Sequence, residues 1–303
     1  MPPRPSGIDD RKELLVHLPR SMRSHISHPS PATRPLPEYA KPPVIEVACS
    51  IQFEPIEDLH AGRLGLLWEE YRERYPRVEQ QPPIAPIREQ FTEAAARSGL
   101  SMYTTFPMPR IWFLSDDGQQ LIQVQRDHFI VNWRTLGDTG AIYPRYRRLR
   151  ERLSDEVDTF QAFLDKEGLP PLRVLQAELT YVNHIDARNA DGGRVPLSRI
   201  LKIWAGDRGI SNLPAFEEAS FQAHYVMQDG SKPVGRLHIS VDPQRFIKDN
   251  APLYALTLVV RGVPLSADIE GALAFLDRGH EAIVEGFTAI TTDEMHKLWE
   301  RQR

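Results

Sequence analysis

The stretch RIWFLSDDGQQLIQVQRDHFIVNWR, residues 110–134, constrains the fold more than any other part of this chain, because strand pairing within it follows by counting. Three runs rich in Ile, Val, Phe and Trp are separated by two turn signals, Asp117-Gly118 and Arg126-Asp127. Asp-Gly is the signature of a type I′ hairpin, since that turn needs positive φ. Two-residue turns at both places would set Phe113 opposite Ile122 and Val124 opposite Phe129, with Ile111, Val131 and Trp133 on the same side. Trp112, Leu114, Leu121, Gln123, Gln125, His128, Ile130, Asn132 and Arg134 then share the other side. The first face is uniformly apolar and has to lie under helices; the second is mixed.

The same alternation recurs in VIEVACSIQFEP, where Ile45, Val47, Cys49, Ile51 and Phe53 oppose Glu46, Ala48, Ser50 and Gln52. Cys49 therefore reads as a small buried hydrophobe. LHAGRLGLLWEEYRERYP has helical spacing up to Pro76, and the prolines of VEQQPPIAPI make that stretch extended. REQFTEAAARSGL reads as a short helix or loop. IYPRYRRLRERLSDEVDTFQAFLDKEGLP is a long amphipathic helix with Tyr146, Leu149, Leu153, Val157, Phe160 and Phe163 in its stripe and Gly168 as its stop. The second half repeats the order: strand LRVLQAELTYVNHI, helix PLSRILKIWAG, strands FQAHYVM, GRLHISVD and LYALTLVVRG, and helix IEGALAFLDRGHEAIVEGF. A last short helix follows TTDE, where Thr291 and Glu294 would form a capping box. The fold class expected is α+β: two similar β-α-β(3-4)-α halves, residues 43–169 and 170–303, with antiparallel sheets and helices on one face. Ten of the 26 prolines fall in residues 1–43, so residues 1–42 read as a disordered Pro-rich lead.

Composition narrows the classes of partner. A net charge of -4 across 303 residues supplies no basic field for nucleic acid or an anionic membrane. One cysteine cannot form an intramolecular disulfide and fits a reducing compartment, and no apolar run approaches membrane-spanning length, so a cytoplasmic protein is expected. The basic cluster Arg145, Arg147, Arg148, Arg150 and Arg152 is followed by Asp155, Glu156 and Asp158, which neutralise it and suggest a solvated helix face.

Chemical motifs are few. The ten histidines give no HxH, HExxH or Cys/His set at ligand spacing, and GxSxG, GxxxxGK[ST] and GxGxxG are all missing. No metal or cofactor is expected. His280 lies on the apolar stripe of the last long helix and reads as a packed or interfacial histidine. Glu46 and Glu178 open corresponding strands of the two halves and, with Arg134 or Arg236, could form an acid/base and anion-holding pair. The polar row is the stronger candidate, as a binding surface made of Trp112, Gln123, Gln125, Asn132, Arg134, Glu178 and Arg236. The cover over its apolar members could be a ligand, a partner chain or the sheet of the other half.

Several blocks, PPVIEVACSIQFEP, YPRVEQQPPI, QVQRDHFIVNWR, ELTYVNHI and HEAIVEGFTAITTDEMHKLW, resemble a profile-defined, biochemically uncharacterised family of bacterial and archaeal proteins of sporadic distribution. The resemblance spans about residues 42–300 and carries over no catalytic residue. At fold level the duplicated order is similar to the helix-grip arrangement of the TATA-binding protein, which hosts DNA binders, small-molecule binders and enzymes alike. Three functional readings stay open in this order: a protein that binds a small molecule or a protein partner on its sheet face, itself compatible with a homo-oligomer; an enzyme working between the halves with a glutamate base and an arginine anion holder; and a nucleic-acid binder.

Overall fold

Strict alternation over residues 44–53 becomes β1 (Val44–Phe53), and its position turns out to be central. The computed structural model describes residues 35–91, 108–137, 142–204, 214 and 217–303. Contacts separate residues 1–35 from Leu36–Arg303, and the architecture is that of the second unit. After β1 come α1 (Ala61–Tyr71), β2 (Arg77–Gln81), β3 (Arg110–Leu114), β4 (Gln120–Gln125), β5 (His128–Arg134) and α2 (Tyr146–Lys166). Then follow β6 (Val174–Asp186), β7 (Phe221–Asp229), β8 (Lys232–Arg245), β9 (Pro252–Gly262), α3 (Ile269–Ile290) and α4 (Asp293–Leu298). The nine strands form one sheet in the order β2-β3-β4-β5-β1-β6-β9-β8-β7, every neighbour antiparallel. The chain is thus α+β with a large antiparallel sheet and, among the described residues, four α-helices.

Register threads one apolar row across all nine strands: Val78, Phe113, Ile122, Val131, Cys49, Leu179, Val260, Leu237 and Tyr225 are successive cross-strand partners. Helix side chains pack on this row and its same-face neighbours. Phe160 of α2 stacks on Phe129 at 5.1 Å and meets Phe53 at 6.0 Å, and Tyr71 of α1 lies 5.8 Å from Phe113. In α3, Gly286 lets the helix approach closely: a Cβ there would stand 2.9 Å from Leu237 Cδ2.

The counted hairpin register is the one observed: Phe113 faces Ile122 and Val124 faces Phe129. The first turn, however, is not type I′. Only Gly118 of the pair has positive φ, at 67°, and Ser115 pairs with Gln120 through its backbone. Asp117 explains the change, because its carboxylate accepts from Ser115 Oγ (2.7 Å) and from the Gln119 N–H (2.9 Å), holding a longer Asx-type loop in the same register. Over its described residues, 196–204, PLSRILKIWAG is not a helix beyond a 3-10 turn at Leu197–Arg199. Its backbone instead pairs with the end of α3: Lys202 N–H donates to Ile290 O and Thr292 N–H to Ile200 O. The N-cap of α4 is Thr292, not Thr291, whose hydroxyl donates to Phe287 O.

The lead segment lies outside the described residues up to 34. Its end does pack: Tyr39 is buried, bridges Arg301 and stands 5.5 Å from Phe287 and 6.2 Å from Trp299. The acidic stretch after the arginine cluster is also less solvated than its composition suggests. Glu156 is buried, accepting from Tyr75 Oη at 2.7 Å and pairing with Arg74 at 2.9 Å, and burial raises its pKa. No helix among the described residues is long and apolar enough to cross a membrane.

Phe160 joins α2 to both β1 and β5, so Phe160→Ala should cost about 3–5 kcal/mol of stability, read as a lower denaturant midpoint at unchanged m-value.

Candidate functional site

One step along the strands from the apolar row lies a second continuous row: Glu79, Trp112, Gln123, Ile130, Ser50, Glu178, Arg261, Arg236 and Val226. Period-two alternation puts it on the opposite face. Trp112, Gln123, Glu178 and Arg236 therefore fall in a single line, although they come from one hairpin and two strands much later in the chain. Gln125 belongs to the parallel row on one side, with His128, Gln52 and Gln176. Asn132 and Arg134 belong to rows on the other, Asn132 opposite Ala48 and Arg134 opposite Glu46.

At the β3–β5 end these side chains satisfy one another. Trp112 Nε1 donates to Gln123 Oε1 at 3.0 Å, and Arg110 Nη1 donates to the same oxygen at 2.5 Å. Gln123 Nε2 donates to Asn132 Oδ1, and Asn132 Nδ2 to Glu46 Oε1, both at 2.7 Å. The guanidiniums of Arg110 and Arg134 stand 5.4 and 5.3 Å from the Trp112 ring, within cation–π range. Arg134 also donates through Nε to Gly118 O at 3.2 Å. This is a continuous chain of polar contacts with Gln123 and Asn132 buried within it, and it leaves Arg110 Nε buried without a partner.

Toward β6 and β8 the face is crossed by the chain's own residues 84–91. Gln125 takes both backbone groups of Ile84, accepting from its N–H and donating to its carbonyl, each at 2.9 Å. Gln176 does the same further along, accepting from Glu89 N–H (2.7 Å) and donating to Ile87 O (2.5 Å). The Glu89 carboxylate is ion-paired to Arg236, lies 2.9 Å from His238 Nε2 and 4.0 Å from Arg261. Arg236 also donates to Gln90 O at 3.3 Å and stands 5.0 Å from the Phe91 ring. Glu178 is ion-paired to Arg261. A cavity of about 90 Å³ remains under this strap, lined by Ser50, Gln52, His128, Gln176, Glu178 and Arg261 among others.

Glu46 and Glu178 do not meet. Glu46 is the partner of Arg134 and Glu178 that of Ser50, four residues on, which separates them by roughly 13 Å at about 3.3 Å per residue. Each has its own partner, Asn132 for one and Arg261 for the other.

A larger cavity, about 400 Å³, opens on the helix-bearing face between Leu36–Pro42, the start of α2, α3 and β6. Its wall holds a chain of polar atoms: Tyr143 Oη to Tyr181 Oη at 2.7 Å, then Tyr181 Oη to His280 Nδ1 at 3.2 Å. The imidazole stacks on Tyr146 at 4.2 Å, and Tyr146 Oη donates to Asp277 at 2.8 Å. Burial pushes His280 down to about 4, with Asp277 opposing. From the sequence His280 is expected to be a packed or interfacial histidine. A usable signal was present in ELTYVNHI, where Asn183 has the phase of Leu179, Tyr181 and Ile185 and so sits on the apolar face.

Among the described residues, no three His, Cys, Asp or Glu side chains are grouped to hold a metal ion. No family model, curated protein or solved structure matches the chain.

A histidine depressed in the folded state contributes stability that is complete above its unfolded value near 6.5 and is lost as pH falls through about 4. His280→Phe should therefore flatten the acid limb of the stability–pH curve, recovering at most about 3 kcal/mol. Urea unfolding of both proteins at stepwise pH from neutral to acid measures the difference.

Proposed function

We propose that this chain is a binding protein whose mixed sheet face holds an extended polypeptide carrying a carboxylate side chain, and that residues 84–91 occupy that groove at rest. The observation that carries the reading is the pair of glutamines, Gln125 and Gln176, each bonded to both a backbone N–H and a backbone C=O of the strap. Such contacts recognise an extended main chain without regard to side chains, much as an added strand is recognised by a sheet edge. Glu89 among Arg236, His238 and Arg261 supplies the selective element, since charge-assisted bonds are roughly twice as strong as neutral ones.

The binding surface thus differs in emphasis from the seven residues read from the sequence. Gln125, Arg236 and, through Arg261, Glu178 are the gripping side. Trp112, Gln123, Asn132 and Arg134 form the self-satisfied scaffold beside it. The same reading takes residues 43–169 and 170–303 as two related halves with helices on one face, the second carrying only the 3-10 turn Leu197–Arg199 where the first has α1. Its supports are the adjacency of β1 and β6 in mid-sheet, with β5 beside β1 and β9 beside β6, and the packing of α1, α2 and α3 residues on the apolar row.

An internal ligand acts at an effective concentration of order millimolar, so a free peptide of equal chemistry competes poorly with it. Glu89→Gln should weaken the strap and admit a labelled PPIAPIREQF peptide at least about tenfold more tightly than wild type does, a difference of roughly 1.4 kcal/mol. Adding Arg236→Ala should remove that uptake. Fluorescence anisotropy reads both, and a folded Glu89→Gln protein that takes up no peptide rules the reading out.

A further inference from the structure

The 400 Å³ cavity is on the other face from the strap, and its polar atoms are not spent in the way those of the sheet rows are. Most of the wall is apolar, with Tyr39, Val44, Leu258, Ile283 and Phe287. Asn183 is the exception. It is 2 % exposed, and its Nδ2 donates to Leu256 O at 3.0 Å. That bond fixes which end of the amide is oxygen, and Oδ1 is left with no hydrogen-bond partner among the described residues. Because it is not sealed among the buried atoms, this acceptor is available to a donor on a molecule in the chamber.

The mouth carries the second observation. Arg145 has φ 71° and ψ 149°, backbone territory that belongs almost wholly to glycine and strains a residue that carries a side chain. It is held there by a bond from Nη1 to Tyr39 O at 3.0 Å and lies 5.7 Å from the Tyr143 ring. The other two guanidiniums at the rim are neutralised, Arg147 by Glu151 and Arg303 by Glu38, each at 2.9 Å. Arg145 has no carboxylate partner among the described residues. A strained arginine with an uncompensated charge thus stands at the entrance of an apolar chamber that has a free acceptor in its wall. Tyr143, Tyr181 and His280 Nδ1 bond to one another and shape the chamber, with Asn183 Oδ1 an open polar contact beside them.

We propose that this chamber is a binding site for a small, mainly apolar organic anion bearing a hydroxyl or amide donor, the anion set against Arg145, the apolar body between Tyr39 and Phe287, and the donor on Asn183 Oδ1. The ligand class is an ω-hydroxylated or amidated carboxylate. The site is independent of the strap and of what the sheet face binds.

Isothermal titration of the full chain with 8-hydroxyoctanoate, octanoate and octylamine tests the assignment, with 1-anilinonaphthalene-8-sulfonate as a bulkier apolar anion. The hydroxy acid should bind one per chain, octanoate about tenfold more weakly and octylamine not measurably. Asn183→Leu should bring the two acids to equal affinity. Val284→Trp, which fills the chamber from α3, should abolish uptake of all anions. Arg145→Gly should weaken both acids about tenfold and leave a folded protein whose Tm is no lower than that of wild type, because glycine suits the φ that arginine strains to hold. Failure of wild type to take up either the hydroxy acid or the sulfonate overturns the proposal, as does unchanged binding in Val284→Trp. Unchanged acid affinity in Arg145→Gly overturns the anion assignment.

Discussion

Where β1 meets β6 in the middle of the sheet, Cys49 lies opposite Leu179 on one side and Val131 on the other, and everything else in the molecule is referred to that register. A slip of one residue would send Glu178 and Gln176 into the layer occupied by Phe160 and α3, and expose Leu179 and Tyr181. The apolar side is what prevents the slip. Cys49 serves it as a small hydrophobe: burial pushes its thiol up to about 12, so it is inert as a nucleophile at neutral pH.

Much of the face assignment was legible in the sequence, because alternation is a local property. The division between Ile111, Phe113, Ile122, Val124, Phe129, Val131 and Trp133 and their polar neighbours follows from counting alone, and the hairpin register survived even though Asp117 built a different turn. What could not be read was anything that depends on pairing between distant strands. The 13 Å offset of Glu46 from Glu178 is set by the β1–β6 register, which no local pattern encodes. PLSRILKIWAG has helical spacing, yet its backbone groups find better partners at the end of α3. Tyr39 sits in a proline-rich run that carries no periodicity to mark its burial.

The sites divide along the same line. Trp112, Gln123, Asn132 and Arg134 were found as a group because three neighbouring strands bring them together. The role of Gln125, Gln176 and Arg236 was hidden, since it depends on residues 84–91 folding back over the sheet, and VEQQPPIAPI announces only that it is extended. Asn183 was the most readable miss: a polar residue in the phase of an otherwise apolar strand face is visible in ELTYVNHI without any structure. Buried amides of this kind are costly unless bonded, so their placement carries more information than that of exposed charges.

The strap has a mechanical consequence. It leaves β2 at one margin of the sheet, is held by Gln125 on β4 and Gln176 on β6, and ends its ion pairs on β8. It therefore runs as a transverse brace over six adjacent strands, and antiparallel strands left alone would twist relative to one another by roughly 20–25° each. A brace tied to β4, β6 and β8 couples those strands to one peptide, so the spacing of the strands and the seating of the strap are set together.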